Sequence, residues 1–120
     1  MVSKAEEHLR SAELLWQHGQ YRDAVSRAYY ASFSAMCALV GEPPRGRWEH
    51  PGLRGAFVQQ LSVRGIPAAE CRRLRRRLRS LHDARIDADY TIVAIDETTI
   101  QEALAIAREI LAVVQRYEQR

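Results

Sequence analysis

Apolar residues recur every three or four positions along most of the chain, which is the spacing of amphipathic helices, and no segment alternates with the period of two that a β-strand requires. A first helix is predicted to start at Ser3, because Ser3 and Glu6 have the spacing of a capping box, and Gly19 is placed to end it. The apolar stripe of this helix consists of Ala5, Leu9, Ala12 and Trp16.

The second segment is apolar or small on nearly all sides. A helix is predicted from about Tyr21 to Val40, and from Ala28 onward its sequence, AYYASFSAMCALV, contains no charged residue. A helix of this composition is expected to be central and buried, with its aromatic residues in the core. A loop rich in Gly, Pro and Arg is predicted over residues 41 to 52, and a third, shorter helix follows, with an apolar face of Leu53, Phe57 and Leu61.

The fourth and last helices complete a five-helix pattern. In the fourth helix, apolar residues follow each other at spacings of three, four and three positions: Cys71, Leu74, Leu78 and Leu81. Arg85, four positions further on, is the next member of this series. A loop of roughly residues 86 to 95 is predicted next, with Asp96 as the N-cap of the last helix. The apolar stripe of that helix is Ile100, Leu104, Ala107, Leu111 and Val114. Short links between helices predict one all-α domain over residues 1–120, an up-and-down bundle of four to five helices.

Composition narrows the class of protein. The chain has 120 residues, 47% of them hydrophobic and 28% charged, which are ordinary values for one globular domain. No apolar run reaches the roughly 20 residues of a membrane-spanning helix, and the N-terminus carries acids and lacks the apolar region of a signal peptide. Cys37 and Cys71 lack metal-ligand spacing. We therefore predict a cytoplasmic protein with reduced thiols, without a membrane, a metal site or a cofactor.

Arginine dominates the positive charge, and it is concentrated in one segment. The chain has seventeen arginines and a single lysine, and the run CRRLRRRLRS carries six of the arginines around Leu74 and Leu78. One interpretation is a solvated helix face whose arginines pair with acids on neighbouring helices. The alternative is a ridge that contacts the phosphates of a polyanion, since the guanidinium fork suits phosphate oxygens. Under this alternative the contacting residues are Arg72, Arg75, Arg76 and Arg79.

The second helix carries the most specific pattern in the chain. The segment YRDAVSRAYYASFSAMCALV resembles the HEPN family, and in particular its small stand-alone members. The resemblance extends to the first helix, KAEEHLRSAELLWQHGQ, to His50 followed by Pro51-Gly52, and to the motif RIDADY of residues 85 to 90. It covers almost the whole chain and implies a four- to five-helix bundle of the HEPN type, usually a homodimer.

The resemblance implies a choice of functions. Many HEPN proteins are metal-independent endoribonucleases, often toxins, which use an arginine followed after four to six residues by a histidine. Others are partners of a minimal nucleotidyltransferase, and some bind nucleotides. In this chain Tyr90 stands where the shortest spacing after Arg85 would place the histidine, and tyrosine is a poor general base at neutral pH. Arg77 and His82 also have the nuclease spacing, but on a continuous helix their side chains diverge.

From these observations we predict a HEPN protein that binds nucleotide or RNA in an arginine-centred cleft. Arg85 is the candidate catalytic residue, and the predicted ligand-binding residues are Arg85, Asp89, Tyr90, His50, Asp23, Arg27 and Tyr30. The resemblance implies a homodimer and a nucleotidyltransferase protein as partner, in a system like a toxin–antitoxin pair. Two alternatives remain: a metal-independent endoribonuclease toxin, and a structural protein-interaction module. Arg85 would in that last case form only a helix-terminating salt bridge with the nearby acids.

Overall fold

Five helices make up the fold in a computed structural model, which describes residues 2–43 and 46–118. They are α1 (Ser3–Gln17), α2 (Tyr21–Val40), α3 (His50–Val63), α4 (Ala68–Tyr90) and α5 (Glu97–Glu118). No strand occurs within these two ranges. The predicted all-α bundle is therefore confirmed.

Helix α2 lies at the centre and contacts each of the other four helices. Four alanines of α2 at intervals of four, three and four residues are completely or almost completely buried: Ala24, Ala28, Ala31 and Ala35. Their small side chains allow α1 and α5 to approach α2 closely. The predicted stripe of α5 and the predicted face of α3 are buried in full. Each fully buried Leu or Phe side chain stabilises such a core by about 1.5–3 kcal/mol relative to its exposed state.

The ends of the helices agree only partly with the local sequence signals. Gly19 has a φ of 76°, a left-handed conformation that favours glycine, and its N–H donates to the Trp16 carbonyl, so it ends α1 as predicted. Asp96 accepts the Thr99 N–H at 2.8 Å and caps α5, also as predicted. The capping box at Ser3 is wrong, because Val2 occupies the N-cap and no side chain caps the helix.

Two predicted loop boundaries are also wrong, and both corrections affect the candidate site. Helix α4 continues to Tyr90, because Ala88 is buried and Arg22 of α2 donates hydrogen bonds to the carbonyls of Asp87 and Ala88, which have no helical partner. Helix α3 begins at His50, because the fixed φ of the proline that follows is suited to a first helical turn. The predicted loop of residues 41 to 52 also contains residues 44 and 45, which lie outside the described ranges.

Within the described parts of the chain, no helix combines the length and the apolar character that crossing a membrane requires.

Candidate functional site

Arg85 points inward from α4, as the spacing of the leucines predicts, and is only 8% exposed. Its Nη2 atom donates to the Tyr30 hydroxyl at 2.8 Å and to the Tyr90 hydroxyl at 3.4 Å. Its Nε atom lies 2.9 Å from Asp89 Oδ2 and forms an ion pair, although the N–H direction does not make a hydrogen bond. A buried guanidinium requires such partners, because an unpaired one costs several kcal/mol.

Three tyrosine rings surround the Arg85 guanidinium. Its central carbon lies 5.3 Å from the centroid of the Tyr29 ring, 5.5 Å from that of Tyr30 and 5.2 Å from that of Tyr90. These distances are within the range of cation–π attraction, which stabilises a cation without neutralising its charge. Asp89 is thus the one carboxylate on Arg85 among the described residues, and the guanidinium retains the capacity to attract an anion.

The Asp89 carboxylate, on α4, contacts one side chain of its own helix and one of α2. Its Oδ2 atom accepts a hydrogen bond from the Ser26 hydroxyl at 3.3 Å as well as the ion pair from Arg85. The side chain is 27% exposed, so water reaches the carboxylate. The predicted residues Arg85, Asp89, Tyr90 and Tyr30 therefore lie together at one place on the bundle.

His50 and His82 extend the site beyond the residues that the motif suggests. The His50 ring lies with its centroid 5.5 Å from that of Tyr29 and 5.8 Å from that of His82, and the His82 ring lies 5.7 Å from that of Tyr29. The Tyr29 hydroxyl and the Nδ1 atom of His50 form a hydrogen bond. His82 and Tyr29 were not predicted as site residues. The signal for His82 was its position three residues before Arg85, which places both on neighbouring parts of one helix surface.

Both imidazoles are poised to accept a proton. Burial, together with the charges of Arg85 and Arg54, lowers the pKa of His50, against a smaller opposing effect of Glu49. Burial and Arg54 likewise lower the pKa of His82, and Asp83 opposes this. The two rings are therefore neutral at pH 7. Burial raises the pKa of Tyr29 to about 12, so its hydroxyl stays protonated and available for the hydrogen bond with His50.

Arg54 supplies a second guanidinium on the same side of the molecule. It lies four residues after His50 on α3, one helical turn further along the same face. Its positive charge contributes to the lowered pKa of both His50 and His82. The Nη1 atom of Arg54 is buried without a hydrogen-bond partner in the part of the chain that the structure describes. This buried donor leaves positive charge near His50 and His82 without a compensating partner among the described residues.

Asp23 and Arg27 lie on α2 beside Ser26 and Tyr30, which themselves contact Asp89 and Arg85. Both are exposed on α2 and line, with Ser26 and Tyr30, a surface depression of about 490 Å³. Arg27 Nη1 lies 3.4 Å from the Nδ1 atom of His8. His8 is partly buried against the Tyr30 ring, and burial lowers its pKa.

The arginines of α4 divide into two groups. Arg73 and Arg77 face α5, where both pair with Glu109 at 2.5 and 2.6 Å, and Glu70 and Glu102 complete this network. The four arginines predicted to contact a polyanion are exposed: Arg72, Arg75, Arg76 and Arg79. Since Arg77 faces α5 whereas His82 faces α3, the two do not form an arginine–histidine pair, as predicted from their helical spacing.

The site has the properties of an anion-binding surface. Guanidinium groups of Arg85 and Arg54 supply positive charge, tyrosine rings supply flat surfaces, and His50 and His82 supply neutral imidazoles, because their pKa is lowered. Over residues 2–43 and 46–118, no group of three His, Cys, Asp or Glu side chains lies close enough to hold a metal ion.

The fold and this site define a small helical bundle with an arginine-centred surface between α2, α3 and α4. A model of the HEPN domain matches residues 1–117, so the chain belongs to the HEPN family, and the resemblance seen in the sequence is confirmed. It is similar to "Putative toxin MJ0605" of Methanocaldococcus jannaschii, with 32% identity over 109 residues that cover 91% of this chain and 77% of that protein. It is also similar to "UPF0332 protein PH1297" of Pyrococcus horikoshii, with 42% identity over 59 residues, 47% of this chain and 39% of that protein.

Proposed function

We propose that this HEPN protein binds the phosphate groups of RNA or of a nucleotide at Arg85, as one half of a toxin–antitoxin-like pair with a nucleotidyltransferase. One observation carries the proposal: the Arg85 guanidinium is held by three tyrosines but is opposed by only one carboxylate among the described residues. A helix-terminating salt bridge needs only the carboxylate. The tyrosine rings and the neighbouring Arg54 leave positive charge in excess, which suits a phosphate.

The family and the relatives support the toxin-like part of the proposal. The Methanocaldococcus jannaschii relative is named "Putative toxin MJ0605", and the similarity covers most of this chain. The proposed assembly is a homodimer in which the Arg85 surface faces the two-fold axis, and a nucleotidyltransferase binds to this dimer. Both parts of the assembly come from the HEPN resemblance and are open to direct measurement.

A second candidate is metal-independent cleavage of RNA, which His50 and His82 favour. Such cleavage requires a base that removes the proton of the 2′-hydroxyl and an acid that protonates the departing 5′-oxygen. A neutral imidazole of His50 or His82, whose ring centroids lie 5.8 Å apart, can serve as the base although the usual histidine after the arginine is absent. Because both rings are neutral at pH 7, the acid must be the other ring after it has taken up a proton. In this mechanism the Arg85 and Arg54 guanidiniums would stabilise the extra negative charge that develops on the phosphate in the transition state.

Binding of fluorescein-labelled single-stranded RNA and of ATP, measured by anisotropy and by calorimetry, tests the proposal. The wild-type chain is expected to bind at least one of them, and Arg85→Gln is expected to weaken that binding at least tenfold. The matched control is Arg10→Gln, which removes an exposed arginine on α1. If the wild type binds neither ligand, or if both variants bind like the wild type, the proposal is wrong.

The two candidate functions and the structural alternative separate in two further assays. RNA cleavage that persists in a chelator and disappears in His82→Gln supports the nuclease. Co-purification with a co-expressed nucleotidyltransferase, without cleavage by the chain alone, supports the partner function. An interaction module would bind its partner equally well after Arg85→Gln and would show neither RNA binding nor cleavage.

A further inference from the structure

A row of basic side chains runs along α4 toward the Arg85 site. Arg72, Arg75, Arg79 and His82 follow each other at intervals of three, four and three residues, which places them in one line along the helix. The other arginines of the run that face a partner, Arg73 and Arg77, lie on the α5 side and are neutralised there. The row that ends at His82 therefore lies on the α3 side of α4.

The first part of this row borders a groove between α3 and α4. Arg72 and Arg75 line it together with side chains of α3, and the groove has a volume of about 450 Å³. Its floor is formed by Val58 and Cys71, which are buried. Gly55 lies on the α3 side of the groove, and a Cβ atom added there would meet nothing within 4 Å. The groove is therefore open to solvent at this position.

The α3 side of the row carries a single acidic residue, Glu49, at the N-terminal end of α3. From His50 to Ala69 the chain contains no Asp or Glu, so α3 and the turn after it carry only neutral and basic residues. One of the basic residues is Arg54, which contributes to the field at His82 and has a buried Nη1 atom without a partner. The groove between Arg72 and Arg75 therefore carries an excess of positive charge, and Asp83 and Asp89 oppose it only near His82 and Arg85.

We propose that the groove between α3 and α4 binds a single-stranded RNA, whose successive phosphates contact Arg72, Arg75, Arg79 and Arg54 and which ends with one nucleotide at the Arg85 site. This inference rests on the proposed function and specifies its ligand as a strand of several nucleotides. From Arg72 to Arg85 the helix rises about 20 Å at ~1.5 Å per residue. At ~3.4 Å per nucleotide of a stacked strand, that length holds about six nucleotides.

Aromatic side chains at the far end of the groove favour a nucleic acid over an acidic protein. The Tyr90 side chain is 68% exposed on α4, beside Arg85, and Phe33 lies with its ring centroid 5.2 Å from that of His50. Tyr90 is the exposed ring of the two, whereas Phe33 is partly buried against the core, and an exposed ring next to a basic groove is a surface on which an unpaired base stacks. The arginine run itself contains no aromatic residue, so Tyr90 at the end of α4 is the aromatic side chain that this helix offers to a base.

The test compares oligouridylates of one, three, six and twelve nucleotides on the whole chain. Affinity is expected to rise with length and to level off at about six nucleotides. Replacing Arg72, Arg75 and Arg79 together by Gln should abolish most of this gain in affinity. The slope of log affinity against log salt, which is negative, should also become less steep by about 2, since each single-strand phosphate contact contributes ~0.7. Between 50 and 200 mM salt this corresponds to about an 18-fold smaller loss of affinity.

The matched control replaces the exposed Arg10, Arg108 and Arg116 by Gln, which lowers the formal net charge from +3 to 0 like the first variant but leaves the groove unchanged. Equal losses in the two triple variants would show an effect of net charge alone and overturn the inference. So would binding of polyglutamate as tight as that of the twelve-nucleotide RNA, which would point to an acidic protein.

The outcomes also separate this inference from the proposed function. If a mononucleotide binds as tightly as the longer strands and depends on Arg85, the Arg85 site is supported and the groove is not. If no length of RNA and no nucleotide binds to the wild type, both are wrong. A length-dependent gain that survives in the groove variant and disappears in the control would place the strand elsewhere on the molecule.

Discussion

The imidazole rings of His50, the first residue of α3, and His82, on α4, lie with their centroids 5.8 Å apart. Both rings also lie against Tyr29, whose hydroxyl bonds to His50, and Tyr29 in turn lies against the Arg85 guanidinium. The pair places two imidazoles, each with a lowered pKa, beside a buried cation. This arrangement is the chemical centre of the candidate site.

Replacing Arg85 by Ala should separate its structural from its binding contribution. We expect the free energy of unfolding in urea to fall by about 1–3 kcal/mol, because charged hydrogen bonds to Tyr30 and Tyr90 are lost. The loss should stay below the ~3–5 kcal/mol of a broken, fully buried ion pair, because Asp89 is 27% exposed and can be hydrated.

Nucleotide or RNA binding by Arg85→Ala should weaken at least tenfold when measured where the variant is still folded. Arg85→Lys serves as the comparison, since it keeps the charge but loses the planar fork. A large loss of stability in a protein whose wild type binds no nucleotide and no RNA would instead identify Arg85 as a purely structural residue.

The stability of the protein should decline as the pH falls below about 6.5, the reference pKa of histidine. Burial and neighbouring arginines lower the pKa of His50 and His82 in the folded chain, so below this pH the unfolded chain binds more protons. The stabilisation is therefore fully present above pH ~6.5 and is lost as the pH falls through the lower, folded pKa values.

Thermal unfolding of the wild type and of a His50→Gln/His82→Gln double variant between pH 8 and 5 measures this effect. The double variant should show a smaller decrease in Tm over that range. His18→Gln, at an exposed position, should show the same pH dependence as the wild type. An unchanged pH dependence in the double variant would contradict the assignment of neutral imidazoles.

Arg22 should act as a positioning residue for the end of α4. Its guanidinium donates to the carbonyls of Asp87, Ala88 and Thr91 at 2.9–3.0 Å and also to that of Val93, so it holds the segment that carries Asp89 and Tyr90. Arg22→Met should lower the free energy of unfolding by about 1.5–3 kcal/mol, as the loss of charged hydrogen bonds does.

Ligand affinity should also fall in Arg22→Met, and hydrogen exchange should become faster at the backbone amides of the last turn of α4. Arg10→Met is the matched control, because Arg10 is exposed on α1. If Arg22→Met unfolds more easily but exchange in α4 is unchanged, Arg22 contributes to stability without positioning the site.

The chain should form a homodimer. Light scattering at micromolar concentration is expected to give about twice the monomer mass of 13.7 kDa. Since the proposed site would face the two-fold axis, Tyr90→Glu should shift the mass toward that of the monomer, whereas Glu102→Gln, on α5, should not. A monomer mass for the wild type would remove the dimer from the proposed assembly.

Local sequence signals determined most of the fold, because helices with one apolar stripe have few ways to bury it. The steps of Cys71, Leu74, Leu78 and Leu81 predicted that Arg85 points inward, and the structure shows this orientation. The HEPN pattern on the second helix predicted the family, which the match over residues 1–117 confirms.

Contacts between helices decided what the local signals could not. Helix α4 extends to Tyr90 because Arg22, on α2, donates hydrogen bonds to its last carbonyls. Residues 86 to 95 by themselves do not indicate that an arginine of another helix will bind there. Likewise the sequence placed His82 three residues from Arg85 but could not place it beside His50, because that contact depends on the antiparallel packing of α3 on α4. Periodicity fixes which face of a helix is buried, whereas only tertiary packing fixes which side chains of different helices meet.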